Sequence, residues 1–138
     1  MSRLQLYIAT SLDGYIAAPD GGLDWLEKFP TPDQLDYGYA DFYDQVDTVV
    51  LGRHTYETIQ QYDVEWPYKN CKSYIATTQS NNPITTPHTQ ILARPLRQAL
   101  LHLQQTATQN IWLVGGGQLV TAILAEGFID DLLLTIIP

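Results

Sequence analysis

The sequence has very little cysteine and few basic residues, and both shortages restrict what the protein can be. Cys71 is the only cysteine among 138 residues, so no disulfide can form within the chain. We therefore predict a reducing, cytoplasmic location, with Cys71 as a small buried side chain and not a catalytic thiol. Fifteen acidic residues against seven basic ones give a net charge of −8. Because such a surface repels a phosphate backbone, nucleic acid is not an expected partner.

Long apolar runs are also missing from the sequence. No stretch approaches the roughly 20 apolar residues that a membrane-spanning helix needs, and the negative net charge disfavours anionic membranes as partners. The first residues alternate apolar and polar side chains, which is not the layout of a signal peptide. Hydrophobic residues make up 45% of the chain and charged residues 16%, as in globular proteins. We expect one folded domain over residues 1–138.

Strand and helix patterns alternate along the whole chain. Period-two spacing and short β-branched apolar runs predict strands over 3–10, 47–51, 73–76, 91–92, 111–114 and 132–137. Helical spacing of apolar residues, with proline or glycine at several ends, predicts helices over 32–46, 53–59, 95–103 and 119–127. This alternation predicts an α/β fold with a mostly parallel sheet, helices on both faces, and ligands at the carboxyl ends of the strands.

Two of the predicted strand-to-helix junctions contain glycine. Gly52 precedes a helix that opens with Arg53-His54-Thr55, and Gly115-Gly116-Gly117 precedes Gln118. The start of a helix offers free N–H groups and a positive dipole end, so a phosphate can bind there where no side chain intervenes. Alternatively, each glycine only serves a tight turn. The triplet is not the GxGxxG fingerprint, which would need glycine at Val120.

Three segments, in this order, resemble the cofactor-binding segments of the dihydrofolate reductase superfamily: YIATSLDGYIA, VVLGRHTYETI and WLVGGGQLVTAIL. The resemblance is closer to the reductase domain of the bifunctional riboflavin-biosynthesis deaminase-reductase and to its small stand-alone relatives. It implies a three-layer αβα dihydrofolate-reductase-like fold and an NADPH-dependent oxidoreductase. The implied substrate is a small heterocyclic or imine-bearing compound, and the nominal family activity is 5-amino-6-(5-phosphoribosylamino)uracil reductase.

The resemblance also implies which residues hold the cofactor. Residues 52–55 would contact its phosphates, Thr77 and Thr78 would lie near the 2′-phosphate, and the glycine triplet would wrap the diphosphate. The Gly115–Gly116 bond is a candidate for the cis peptide of this family. Alternatively, Thr77 and Thr78 are an ordinary strand end. The full predicted cofactor set is Ala9, Ile16, Gly52, Arg53, His54, Thr55, Thr77, Thr78, Val114, Gly115, Gly116, Gly117 and Gln118.

Reduction of a C=N bond needs a bound hydride donor and, in many cases, an acid that supplies a proton. Candidate carboxyls near the expected substrate mouth are Asp13, Asp24, Asp33 and Asp36. We predict Asp24 and Asp36 as catalytic residues and Asp13 and Trp25 as substrate-binding residues, with Trp25 stacking on a flat ring. Asp24 as a helix N-cap and Asp36 in a solvated first helical turn are the structural alternatives. No metal site is predicted.

The sequence departs from the family pattern in its substrate-binding residues. Residues 29–48 include no Lys, Arg or His, whereas the riboflavin enzyme uses basic residues there for a ribosyl phosphate. Before the third strand, Tyr68 or Lys69 stands where the folate enzyme has an arginine. The first departure argues against a phosphorylated substrate and the second against dihydrofolate reductase itself. A non-catalytic NADP-binding module is a further alternative.

The family's carboxyl-terminal hairpin has no counterpart after the apolar run 132–137. A strand without that hairpin exposes unpaired backbone groups and apolar side chains. We therefore expect a homodimer in which a second copy covers this edge, as the stand-alone relatives also suggest by resemblance.

Overall fold

Strands and helices alternate in the computed structural model, which describes residues 2–11, 39–61, 65–77, 84–93 and 95–137. Within these residues the elements are β1 Leu4–Ser11, α1 Tyr39–Asp44, β2 Val46–Gly52, α2 Arg53–Gln61, β3 Lys72–Ala76, β4 Thr89–Ile91, α3 Leu96–Thr106, β5 Asn110–Gly115, α4 Gly117–Ala125 and β6 Asp131–Ile137. No helix in this described part is long and apolar enough to cross a membrane.

The six described strands form one sheet in the order β4-β3-β2-β5-β1-β6, and every described pairing is parallel. The predicted α/β architecture is therefore confirmed. β2 and β5 lie side by side in the middle of the sheet, and Leu51 is in register with Gly115. The carboxyl ends of these two strands, and the helices that follow them, are thus neighbours.

Each face of the sheet has its own hydrophobic core, because successive strand side chains point to opposite faces. Val50 packs with the buried leucines of α3 and with Ile123 of α4. The flanking Val49 and Leu51 pack on the other face with Phe42 of α1 and Tyr56 of α2. The two layers of helices and the sheet between them make up the three-layer αβα fold.

Several helix boundaries differ from the sequence prediction by one to three residues. Helical spacing predicted that the first helix extends to Val46, which was wrong: α1 ends at Asp44, and Val46 begins β2. The amide of Gln45 donates to the Phe42 carbonyl at 3.2 Å, which closes the last turn. Pro95, predicted as the first helical residue, is the N-cap of α3. Residues 32–38 of the predicted first helix lie outside the described residues.

Side chains connect the elements at the amino ends of the strands. Arg3 donates twice to Asp131, at 2.7 Å each, and Asp130 accepts from the Leu4 amide at 2.9 Å. Asp47 accepts from both the amide and the hydroxyl of Thr108, at 2.9 and 2.8 Å. The hydrogen bond from Arg3 lowers the pKa of Asp131 to about 2. Burial alone would raise the pKa of Asp47, but the hydrogen bonds from Thr108 lower it.

Candidate functional site

The two glycine junctions touch each other through their backbones. A Cβ placed on Gly52 would lie 3.5 Å from the Gly116 nitrogen and 3.7 Å from the Gly115 oxygen. This proximity follows from the register of β2 and β5, which brings both strands to the same edge of the sheet. The two helices α2 and α4 therefore start side by side.

The three consecutive glycines have different structural roles. Gly115 has φ +136°, in the region that favours glycine, and the Gly115–Gly116 peptide is cis, as the resemblance implied. A Cβ on Gly116 would lie 3.2 Å from the Thr55 hydroxyl oxygen. Gly117 is exposed and is the first residue of α4. The turn thus accounts for the first two glycines, whereas Gly117 is exposed and has helical backbone.

The start of α4 leaves its first amide groups available. Its N-cap, Gly116, makes no side-chain capping bond, and the Val120 amide donates to the Gly116 carbonyl at 3.0 Å. The amides of the preceding residues, Gly117 to Leu119, have no acceptor inside the helix. α2 likewise begins at Arg53, directly after a glycine. Two positive helix ends therefore meet at one place, which favours an anion.

A cavity of about 710 Å³ opens at these junctions, within the range of roughly 300–1,000 Å³ that is usual for small-molecule sites. Its polar end is formed by the residues that begin the two helices and by Thr77, which follows β3. Its apolar end is formed by the last residue of β3, the residues after β4 and apolar side chains of α3 and α4. The lining residues are Gly52, Arg53, His54, Thr55, Ala76, Thr77, Leu92, Ala93, Leu96, Gly116, Gly117, Gln118, Leu119 and Ala122.

The cavity lining differs in charge from the chain as a whole. The chain carries a net charge of −8, yet none of the described lining residues is an aspartate or glutamate, and Arg53 is a lining cation. The Arg53 guanidinium also donates to the Glu57 carboxylate at 2.8 Å. Both side chains are partly exposed, at 37% and 44%. The lining therefore suits a ligand with anionic groups.

Most of the described residues that were predicted to hold the cofactor lie in this lining. Eight of them line the cavity: Gly52, Arg53, His54, Thr55, Thr77, Gly116, Gly117 and Gln118. Three others are described but do not line it: Ala9 is partly buried in β1, Val114 packs toward the core under α1 and α2, and Gly115 is buried behind the turn. The predicted residues Ile16, Thr78, Asp13, Asp24, Asp36 and Trp25 lie outside the described residues.

The sequence prediction missed the apolar end of the cavity. Its residues are Ala76, Leu92, Ala93, Leu96, Leu119 and Ala122. They have the composition of ordinary core residues, and Leu96 and Leu119 also pack against the core. The available signal was position: Ala76 ends β3, and Leu92 and Ala93 follow β4, at the edge where parallel sheets bind ligands.

Cys71 takes no part in this site. Its side chain is 3% exposed and packs with Phe42, Trp66 and Tyr68 in the hydrophobic core beneath α1 and α2. Burial raises the pKa of the thiol, which keeps it protonated and a poor nucleophile. The expectation of a small buried side chain is confirmed.

Comparison with known proteins identifies related sequences. The sequence model of the RibD C-terminal domain matches residues 3–138. The uncharacterized protein YwjB of Bacillus subtilis strain 168 is 41% identical over 133 residues, which are 96% of this chain and 75% of YwjB. A second protein of that strain, the uncharacterized YyaP, is 30% identical over 146 residues, with 99% of this chain and 74% of YyaP covered.

Solved structures show the same fold. A Shewanella sp. PV-4 protein with a provisional assignment to riboflavin biosynthesis superposes with a TM-score of 0.82 at 30% identity, covering 99% of this chain and 77% of its own. Dihydrofolate reductase from Enterococcus faecalis, solved with NADP(H), gives 0.61 at 20% identity and covers 97% and 70%. Dihydrofolate reductase from Schistosoma mansoni gives 0.63 at 18% identity and covers 98% and 73%. The last two likenesses confirm the dihydrofolate-reductase-like fold.

Proposed function

Because this chain belongs to the RibD C-terminal domain family, we propose that it is an NADPH-dependent reductase of a small heterocyclic or imine-bearing compound. The family and the fold support a reductase-type function. The observation that carries the cofactor assignment is the meeting of two helix starts and Arg53 in the wall of one cavity whose described lining residues include no carboxylate. The diphosphate and the 2′-phosphate of NADPH need several hydrogen-bond donors or cations close together, and one helix start alone does not supply them.

The residues of the cavity fit the two chemical parts of NADPH. The amides that begin α4 and the Thr55 hydroxyl would hold the diphosphate, and Arg53 would pair with the 2′-phosphate. The apolar end, with Leu92 and Leu96, would contact a flat base. The volume is sufficient for a large part of such a ligand.

When bound, NADPH would supply the hydride for the reduction. The protein would hold the cofactor and the substrate against each other and provide a proton where the product needs one. Asp24 and Asp36 remain our candidates for the proton donor, and Trp25 and Asp13 for contacts to the substrate. All four lie in the part of the chain between β1 and α1, which follows the carboxyl end of β1.

The charge of the α1 region favours a substrate without a phosphate group. α1 itself contains two carboxylates, Asp41 and Asp44, and residues 29–48 include no basic side chain. A phosphorylated substrate would meet negative charge there and no cation to pair with. We therefore propose an uncharged pyrimidine, pterin or similar ring, rather than the phosphoribosyl compound of the nominal family reaction.

A screen of acceptors against NADPH tests this proposal. Pyrimidine and pterin acceptors, each with and without a phosphate group, are mixed with the protein and NADPH, and the loss of NADPH absorbance is followed. We expect turnover with at least one acceptor that lacks phosphate. Tight NADPH binding without oxidation of the cofactor by any acceptor would instead favour the non-catalytic NADP-binding module. Tight binding of a methotrexate-like inhibitor would favour dihydrofolate reductase.

We also propose that two copies pair along β6. In the described sheet β6 is an outermost strand, and its Leu132 and Leu134 are 61% and 47% exposed. A second copy would cover both the backbone edge and these leucines in a self-complementary contact. Sedimentation at micromolar protein should give a dimer, and Leu134→Glu should give a monomer. A soluble wild-type monomer would contradict the proposal.

A further inference from the structure

The ion pair between Arg53 and Glu57 stands beside the polar end of the cavity. Arg53 lines the cavity, whereas Glu57 follows it by one helical turn on α2 and is not among the lining residues. The guanidinium donates from Nη1 to Glu57 Oε1 at 2.8 Å. The group best placed to bind an anion in the cavity therefore already has a carboxylate partner.

This pair is not placed to stabilise α2. Arg53 is the first residue of the helix, where the positive end of the helix dipole disfavours a cation. The order of the two charges, with the cation before the anion, is also the weaker one for pairs four residues apart. An exposed pair of this kind contributes little to stability, so an incoming anion can replace Glu57 at small cost.

We infer that Glu57 is a specificity-determining residue that competes with the cofactor's 2′-phosphate for Arg53 and so restrains the preference for NADPH over NADH. The inference rests on the proposed function, because it needs a dinucleotide in this cavity. A 2′-phosphate must displace the Glu57 carboxylate or share the guanidinium with it, and the two anions repel each other. A ribose 2′-hydroxyl has no such conflict and can donate to a carboxylate. Glu57 therefore weakens NADPH binding without weakening NADH binding.

The size of the effect follows from the weakness of the pair. Releasing Arg53 from an exposed ion pair gains roughly a factor of two in affinity. Removing the like charge near the phosphate gains roughly a similar factor at physiological salt. Glu57→Gln should therefore tighten the binding of NADP⁺ by about three- to fivefold. The same substitution should leave NAD⁺ binding within about twofold, because NAD⁺ lacks the phosphate.

A matched control exists in the second ion pair of the same spacing. Glu65 accepts from Lys69 at 2.9 Å, both side chains are exposed, and neither lines the cavity. Glu65→Gln makes the same change in net charge as Glu57→Gln, so it reports any effect of overall charge. It should change the affinity for neither dinucleotide.

The experiment is calorimetric titration of the whole chain with NADP⁺ and with NAD⁺, at low and at physiological salt. The variants are Glu57→Gln, Glu65→Gln, Arg53→Gln and the double variant Arg53→Gln/Glu57→Gln, each checked for an unchanged melting temperature. The tightening by Glu57→Gln should be specific to NADP⁺, larger at low salt, and below about twofold in the Arg53→Gln background.

Three results would overturn the inference while wild-type NADP⁺ binding persists. They are weaker NADP⁺ binding in Glu57→Gln, an equal change for NAD⁺, and a gain in the Arg53→Gln background that is as large as in the wild-type background. The first would show that Glu57 orients Arg53 for the phosphate, and the other two would show that Glu57 acts by its charge alone. If the wild-type chain binds neither dinucleotide, the proposed function fails together with the inference.

Discussion

The two ends of the parallel sheet treat their polar groups in opposite ways. At the amino ends of the strands, Asp47 and Asp131 pair with Thr108 and Arg3 across neighbouring elements. At the carboxyl ends, β2 and β5 pass through glycine into helices, and the N-cap Gly116 makes no side-chain bond to its helix. The amino ends of the strands pair these carboxylates within the chain, whereas the carboxyl ends leave helix amides available to a ligand.

This difference separates residues that hold the fold from residues that are free to bind. A carboxylate that accepts an amide or guanidinium at the amino end contributes to stability and has no access to the cavity. A glycine at the carboxyl end has no side chain, so a ligand can reach the backbone N–H groups beside it. If this division is right, changes at the carboxyl end should alter binding while stability is kept, and changes at the amino end should do the reverse.

The largest effect is expected for Gly117→Val. The valine side chain would stand in front of the first amides of α4 and block two or more charge-assisted contacts, each worth about 1.5–3 kcal/mol. NADPH affinity should fall by at least about a hundredfold, measured by quenching of tryptophan fluorescence, while circular dichroism stays native. Gly116 is a poorer test position, because a Cβ there would crowd the Thr55 hydroxyl. Normal NADPH binding by folded Gly117→Val would assign all three glycines to the turn alone.

Arg53→Ala should produce the next largest effect. Losing one charge-assisted contact to the 2′-phosphate costs about 1.5–3 kcal/mol, or roughly one to two decades of NADPH affinity. NADH binding should hardly change. Lys69→Ala is the control, since it also removes one cation from an exposed ion pair whose two residues are four positions apart in the sequence. Equal losses for NADPH and NADH in Arg53→Ala would place Arg53 outside the 2′-phosphate site.

At the amino end, Asp47→Ala should lower stability and leave binding unchanged. The substitution removes both hydrogen bonds from Thr108, and because these groups are exposed to water the loss of stability should be about 1 kcal/mol. Denaturant titration would show this loss, and NADPH titration should match wild type. Asp47→Asn keeps one acceptor oxygen and should lose less. Weaker NADPH binding in Asp47→Ala would break the division between the two ends.

The smallest effect is the acid sensitivity of the amino end. The folded pKa of Asp131, about 2, lies below the ordinary value of 3.8, so the folded state binds fewer protons than the unfolded state. This contribution to stability is present above pH 3.8 and is lost as the pH falls toward 2. It should stay below about 1 kcal/mol, because the pair is at the surface. Asp131→Asn should show a flatter loss of stability over that interval, and an identical loss would contradict the assignment.

Features of the fold and of the cavity that depend on neighbouring residues could be predicted from the sequence. Alternation along β1 and the glycines at the ends of β2 and β5 are local signals. They correctly indicated the parallel sheet, and the glycine junctions that they marked line the cavity. Val46 continued the helical spacing of Phe42 and Tyr43, and only the sheet pairing of Val46 with Asn110 shows it to be a strand residue.

The apolar end of the cavity and the pair of Arg53 with Glu57 could not be predicted in the same way. Leu92 and Ala122 are far apart in sequence and acquire a shared role only because the fold brings both into the lining of one cavity. Arg53 and Glu57 have the spacing of any helical ion pair. Their proposed role in cofactor binding depends on the cavity beside Arg53, which only the tertiary structure shows.

Titration of the wild-type chain with NADPH and NADH, followed by quenching of tryptophan fluorescence, shows whether the cavity is a dinucleotide site. Two helix starts and Arg53 in one cavity predict saturable binding of both, with NADPH preferred by at least about tenfold through its 2′-phosphate. Equal affinity for the two cofactors, or no binding of either, would contradict the account.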